Sequence, residues 1–369
     1  MNLNKQKEKA PNYIYMLMIV WALLLIITYA LTITTTDKKL NRNYDLQIEA
    51  ANKSKEAMNA IKIRKEELGI ELSKEDKYES GMLGPLHTQI QTTEGDPVAK
   101  RTSTNPNFAA VYIEMFRKAG LKAGDEIAII TSGSFPALNI QATIASQVYG
   151  LKTITMTGIG ASSYGATDVN FTYFDMAQYL YQLGYYENNI DYVSFGGDND
   201  DGFEFPNDVK TNIRTRIDAS GVKLIEESDF EKNIQLRIKY IYEKCPNVKL
   251  LLNVGGSLVS MGSGYTNAVK YRGLVMPNYM GLNVSSTDSK HKGLMEIFLE
   301  KGLPIIQMLN ISKIAYEYGL PQDPVGLVDA GMGDVYNEIK YHIAIPIIGI
   351  TISCAMLGFC IIARKKYNM

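Results

Sequence analysis

The sequence predicts an α/β fold, a mainly parallel sheet with helices on both faces, flanked by an N-terminal and a C-terminal transmembrane helix. Three observations predict it: an uncharged apolar run near each end, a repeated strand, turn, helix rhythm between them, and small-residue loops where the apolar strand segments stop.

Residues 1–12 form a short tail carrying Lys5, Lys7 and Lys9. Residues 13–33 contain no charge and, at 1.5 Å of rise per residue, make a helix of roughly 30 Å, enough to cross a bilayer. Tyr13, Tyr15 and Tyr29 suit its interfacial ends. The run is longer than a signal-peptide core and ends in Thr32, Thr34, Thr35 and Thr36 with no A-x-A pattern, so an uncleaved anchor is expected. Residues 343–363 form the second run, with Pro346, Gly349 and Gly358, which membrane helices tolerate. Arg364, Lys365 and Lys366 follow in a tail of residues 364–369. Positive flanks place both tails in the cytoplasm and the main domain outside it, against a weaker opposing signal from Lys38, Lys39 and Arg42.

Residues 37–80 read as a helical stalk or packing segment. Leu46, Ala50, Ala57, Met58, Ile61 and Leu68 recur among Lys and Glu from Tyr44 to Leu68, and Gly69 is a C-cap. Residues 81–340 form the extracytoplasmic α/β domain, in one lobe or two. Its expected strands are Glu126–Thr131, Lys152–Thr157, Asp191–Phe195, Val222–Glu226, Val248–Val254 and Leu303–Leu309. Its expected helices are Asn107–Ala119, Ala137–Tyr149, Tyr173–Leu183, Asn207–Ala219, Asp229–Lys244 and Leu294–Lys301. Ser257–Lys292 breaks the rhythm and reads as a long loop or lid.

Composition narrows the function. A net charge of −1 gives no electrostatic case for nucleic acid. Of three cysteines, Cys354 and Cys360 fall in the second apolar run and leave Cys245 alone, so neither an intramolecular disulfide nor a two-cysteine zinc site is expected in the domain. The three histidines, His87, His291 and His342, are scattered, and no metal and no cofactor is expected.

Ligands of open parallel sheets bind beyond the carboxyl ends of the strands, so the loops there hold the candidate residues. Ser132, Ser134 and Asn139 follow the first strand, with Pro136 at the start of a helix whose free N–H groups favour an anion. Ser134 there is an anion ligand, a cap, or a nucleophile on a strand-to-helix elbow, although G-x-S-x-G and an obvious histidine base are missing. Ser162, Ser163 and Asp168 lie in the second loop, Gly158–Asp168, whose glycine spacing is wrong for a dinucleotide site. The third loop carries Asp198, Asp200 and Asp201 without the alternation of a calcium loop, and reads as a solvated acidic turn. Asn253, Gly255 and Gly256 follow a further strand, so four strand ends share one polar crevice. Lys100 and Arg101, ahead of the first strand, meet an acidic ligand if their segment folds over that crevice.

The runs Lys100–Ala110, Ser132–Asn139 and Gly160–Ala166, with Asn253-Val254-Gly255-Gly256 and Tyr318-Gly319-Leu320-Pro321, resemble the poly-gamma-glutamate system proteins, membrane proteins encoded beside the synthetase of that polymer in some bacteria. The resemblance covers most of Gly81–Tyr336 and carries over no catalytic residue. It implies an accessory protein of poly-gamma-glutamate (capsule or exopolymer) synthesis or export in the bacterial cytoplasmic membrane. The polymer or its oligomers, the membrane-bound synthetase and the lipid bilayer are the implied partners. A membrane-tethered hydrolase or transferase acting on γ-glutamyl amides through Ser134, and a non-catalytic scaffold, are the alternatives.

Overall fold

The computed structural model describes residues 12–198, 200–262, 271–277 and 292–366. The chain divides into two compact units, one made of the terminal segments up to Asn41 and from Asn337, the other of Arg42–Tyr336.

The chain opens with α1 (Asn12–Thr34) and β1 (Thr36–Leu40). In the larger unit α2 (Tyr44–Glu67) buries Gln47, Ala50, Ser54, Ala57, Met58, Ile61 and Lys65, a stripe at three- and four-residue spacing. It is therefore a packing helix of this unit. A short strand β2 (Gln91–Thr93) leads into α3 (Pro97–Ser103), which starts where the Asp96 carboxylate accepts the Val98 N–H at 2.9 Å with Pro97 at the first position. Then come α4 (Phe108–Lys118), β3 (Glu126–Ser132), α5 (Pro136–Val148), β4 (Lys152–Gly158) and β5 (Ala161–Ser162). Thr172 and Asp175 form a capping box for α6 (Tyr173–Gln182), and β6 (Tyr192–Ser194) follows. Next, α7 (Asn207–Ser220) ends on Gly221 at φ +74°, a left-handed turn into β7 (Lys223–Ile225). The unit continues with α8 (Phe230–Lys244), β8 (Val248–Val254), α9 (Leu258–Met261), β9 (Gly273–Val275), α10 (Leu294–Glu300), β10 (Ile305–Met308) and α11 (Ile311–Glu317). Most of the expected lid, Ser257–Lys292, lies outside the described residues; α9 and β9 are the parts described.

Seven strands form one sheet in the order β7-β6-β4-β3-β8-β10-β9. All neighbours run parallel except β9, which pairs antiparallel with β10. Burial alternates with period two. Ile127, Ile129, Leu250, Leu252 and Met308 pack with Phe116 of α4 and Leu138 of α5. Ala128, Ile130, Met156, Leu251 and Ile305 pack with Ile234 and Ile241 of α8 and Leu294 and Phe298 of α10. Both faces of the sheet are thus covered by helices, and each buried isoleucine or leucine contributes about 1.5–3 kcal/mol.

Two features of the topology make a site. The chain lays β4, β6 and β7 on one side of β3 and then returns to lay β8 on the other, so the strand order reverses between β3 and β8. The strand ends are also level: Ser132 pairs with Gly158, Gly158 with Ser194, and Val254 with Thr131 and Met308. A second, two-stranded parallel sheet of β2 and β5 follows directly from the β4 end.

The terminal unit closes with β11 (Asn337–Tyr341) and α12 (Ala344–Lys366). β11 pairs antiparallel with β1, Thr36 opposite Tyr341 and Leu40 opposite Asn337. α1 and α12 each hold a 19-residue stretch long and apolar enough to cross a membrane, Met16–Thr34 and Ala344–Ile362. They pack side by side. A Cβ on Gly349 would stand 2.2 Å from Thr28 Cγ2, so glycine there is what lets the two backbones approach.

Candidate functional site

A cavity of about 350 Å³ lies at the strand ends. Its lining takes Thr131, Ser132 and Ser134 from the end of β3, Gly158 and Gly160 from β4, Gly196, Gly197, Asp198 and Asp200 beyond β6, Gly256 and Ser257 beyond β8, and Asn310 and Ser312 beyond β10. Five level strand ends thus meet there. Thr92, Thr93, Glu94, Gly95 and Asp96 of the β2–α3 segment form a further wall, with Lys100 of α3, Phe135 and Ser162.

The loops touch at the switch point. Gly255, at φ +97°, lies so close to β3 that a Cβ on it would stand 2.9 Å from Ser132 Oγ. Asn253 Nδ2 donates to the Gly255 carbonyl at 2.8 Å and to Gln307 Oε1 at 2.6 Å, and Gln307 Nε2 donates to the same carbonyl at 3.1 Å. Asn139, wholly buried on α5, donates to the Ser132 carbonyl at 2.7 Å. Asn253 and Asn139 therefore hold loops in place from beneath. Ser163 does the same on the other wall, its buried hydroxyl accepting the Gly95 N–H at 2.7 Å while its own N–H donates to the Thr93 carbonyl at 3.0 Å.

Lys100 is the basic residue of the lining. It is 2% exposed, and its ammonium donates to Ser162 Oγ at 2.7 Å and to the Ser134 carbonyl, with the Phe135 ring centroid 4.1 Å away. Among the described residues no carboxylate comes within ion-pair distance of it; the Asp96 carboxylate is engaged in capping α3. Burial lowers the Lys100 ammonium to about 7, against a smaller upward pull from Asp96. Ser134 Oγ accepts the Ser162 N–H at 3.0 Å.

Two expected ligands stand elsewhere. Arg101 turns away from the cavity, Nε and one terminal nitrogen bonded to Asp323 at 2.5 and 2.8 Å and the other to Glu75 at 2.6 Å. On a helix its side chain points about 100° from that of Lys100, and two carboxylates already occupy its donors. Asp168 accepts the Asn170 N–H at 2.8 Å in an exposed turn and acts at distance on Lys65, not on the cavity. The acidic turn is only partly solvated. Asp200, at φ +62°, is buried, accepts from Ser194 Oγ at 2.7 Å and Asn233 at 3.1 Å, and is ion-paired with Arg237, itself 2% exposed. Asp201 accepts the Phe203 N–H at 2.9 Å, so the three carboxylates have separate surroundings; Asn199 lies outside the described residues.

Of the expected residues the fold brings Lys100, Ser132, Ser134, Ser162 and Gly256 to the lining, with Asn139, Ser163, Asn253 and Gly255 behind them. Sequence reasoning missed the wall from Thr92 to Asp96. A signal was present in the Gly95-Asp96-Pro97 turn, whose Asp and Pro announce the start of α3. No family model, no characterised protein and no solved structure matches this chain.

Proposed function

We propose that this protein is a membrane-anchored accessory protein of bacterial poly-gamma-glutamate synthesis or export, whose cavity receives the chain ends of that polymer. The observation that carries the reading is Lys100, a buried cation at a hydroxyl-rich cavity that, among the described residues, has no carboxylate within ion-pair distance. A ligand carboxylate seated there restores the missing counter-charge and receives hydrogen bonds from a charged donor. Glu94 and Asp198 stand exposed on the same lining and repel a row of carboxylates. They attract an amine, so the amino end of a γ-linked chain, which bears an α-amine and an α-carboxylate on one residue, fits better than the polyanionic interior. In this reading α1 and α12 span the bacterial cytoplasmic membrane, with both termini in the cytoplasm and the larger unit outside, where the membrane-bound synthetase is the neighbouring partner.

Titration of the full chain in detergent micelles with γ-linked glutamate oligomers tests it. Saturable binding is expected, weakened by about 1.5–3 kcal/mol, roughly ten- to a hundredfold, in Lys100→Ala, the worth of a hydrogen bond to a charged group. Acetylating the oligomer's amine should weaken it as well. Wild-type protein that binds no oligomer ends the reading.

A further inference from the structure

The Lys100 ammonium and the Ser162 hydroxyl form the geometry of a base and its nucleophile. Nζ stands 2.7 Å from Oγ, within the range for direct proton transfer, and both side chains line the cavity. The contact is held from three sides. The Ser134 carbonyl takes one Nζ proton and the Phe135 ring covers another side. On the third, a Cβ on Gly95 would stand 3.0 Å from Lys100 Cε and 3.3 Å from Ser162 Oγ, so the Gly95 backbone packs directly against the pair. Ser134, the nucleophile the sequence suggests, is placed differently: its Oγ accepts the Ser162 N–H, and Lys100 reaches its carbonyl, not its hydroxyl.

We propose that Ser162 is a nucleophile for acyl transfer, with Lys100 as its general base and Ser134 as a hydroxyl donor to the developing oxyanion. The site takes an amide or ester carbonyl. Neutral Lys100 removes the Ser162 proton as Oγ bonds to the carbonyl carbon, giving a tetrahedral oxyanion. The bond from carbon to the leaving nitrogen or oxygen then breaks, and Lys100 returns the proton to the leaving group. Water, deprotonated by Lys100, attacks the resulting ester; a carboxylic acid leaves and Ser162 recovers its proton. Burial supports the role, since a lysine lowered to about 7 is largely neutral in mildly alkaline solution. The charged groups around it are few: Asp96 at the start of its own helix, Glu94 on the loop before it, and Asp198 and the Arg237-paired Asp200 beyond β6. This activity goes beyond polymer binding and stands without it.

An alkyl fluorophosphonate tests the pair on the full chain in detergent. Ser162 Oγ bonds to phosphorus, the P–F bond breaks, fluoride leaves and Lys100 carries off the proton. The expected result is one phosphonyl adduct mapped to Ser162, formed faster as pH rises through about 7 and absent in Ser162→Ala. Lys100→Met, which keeps an unbranched side chain beside Phe135, should slow it at least a hundredfold, and Lys100→Arg should not restore it. Circular dichroism and thermal melts matching wild type establish that each variant is folded. An adduct on Ser134, or an unchanged rate in folded Lys100→Met, overturns the assignment. Failure of wild type to react while it still binds glutamate oligomers overturns the dyad and leaves the binding reading; reaction without oligomer binding does the reverse.

Discussion

A lysine ammonium taken from water into a slot where two oxygens and one ring face replace its hydration loses most of its preference for the charged form, and Lys100 sits in such a slot. Its proton affinity falls from 10.5 to about 7, so between those pH values the unfolded chain holds a proton that the folded chain does not. Stability therefore rises with pH across that window and is at its lowest contribution below it. Lys65, 3% exposed on α2 and lowered to about 8 by burial against the pull of Asp76 and Asp168, acts in the same direction between 8 and 10.5. Urea midpoints of the full chain in detergent should climb from pH 7 to 10. Lys100→Met should flatten the lower part of that rise and leave the Lys65 part above pH 8; a variant with the wild-type slope throughout contradicts the account. Gly95 makes a sharper test of packing. A Cβ there would fall 2.3 Å from the Ser163 carbonyl oxygen as well as against Lys100, so Gly95→Ala must displace the loop between β2 and α3. Loss of fluorophosphonate labelling with a melting temperature lowered by only a few degrees, about 1 kcal/mol in a unit of this size, is the expected outcome.

At the scale of elements, the long periodic segments were legible, and so were the short strands β6, β7 and β10, whose apolar cores lie within the expected Asp191–Phe195, Val222–Glu226 and Leu303–Leu309, whereas other short strands were not. Val248–Val254 forms as expected, and the ends of β3, β4 and α4–α8 fall within one residue of expectation, because seven or more residues of alternation or helical spacing leave one solution. β2, β5 and β9 span three, two and three residues, too few to show a period, and they pair only because the sheet brings partners to them. β1 and β11 were hidden for another reason: Thr-Asp-Lys-Lys-Leu and Asn-Glu-Ile-Lys-Tyr are polar, and their pairing joins residues some 300 apart in sequence. The site divides likewise. Small residues after strands announced the crevice, whereas the neutralisation of Arg101 by Glu75 and Asp323, and the burial of Lys100, depend on segments far apart in the chain. The pairing of α1 with α12 gives the prediction proper to this scale. Gly349 is the close approach, and Leu17 lines one pocket with Met356 and Phe359 further along. With the native cysteines replaced by serine, Leu17→Cys and Phe359→Cys should cross-link on mild oxidation, and adding Gly349→Leu should abolish the cross-link by forcing the helices apart at Thr28. A cross-link that survives the leucine removes the role given to this glycine.

For the whole molecule the terminal unit constrains topology more tightly than either apolar run alone. Thr28 of α1 meets Gly349 of α12 near the β1–β11 ribbon, and Leu17 lines one pocket with Met356 and Phe359 at the far end, so the two helices are antiparallel. If both cross a bilayer, the ends of the chain emerge on one side, and residues 36–341 on the other. In the sequence, Lys5, Lys7 and Lys9 precede α1 and Arg364, Lys365 and Lys366 come at the end of α12, six basic residues flanking the two tails against Lys38, Lys39 and Arg42 that follow α1. Inserted the other way, each helix would carry its own basic cluster across, which the positive-inside rule disfavours. In spheroplasts of cells expressing the chain with an epitope at each end, added protease should digest the larger unit and leave both epitopes on short membrane-protected fragments. Digestion of both epitopes with an intact larger unit reverses the orientation. Digestion of one alone breaks the antiparallel pair itself, since no hairpin of two crossing helices can put its ends on different sides of a membrane.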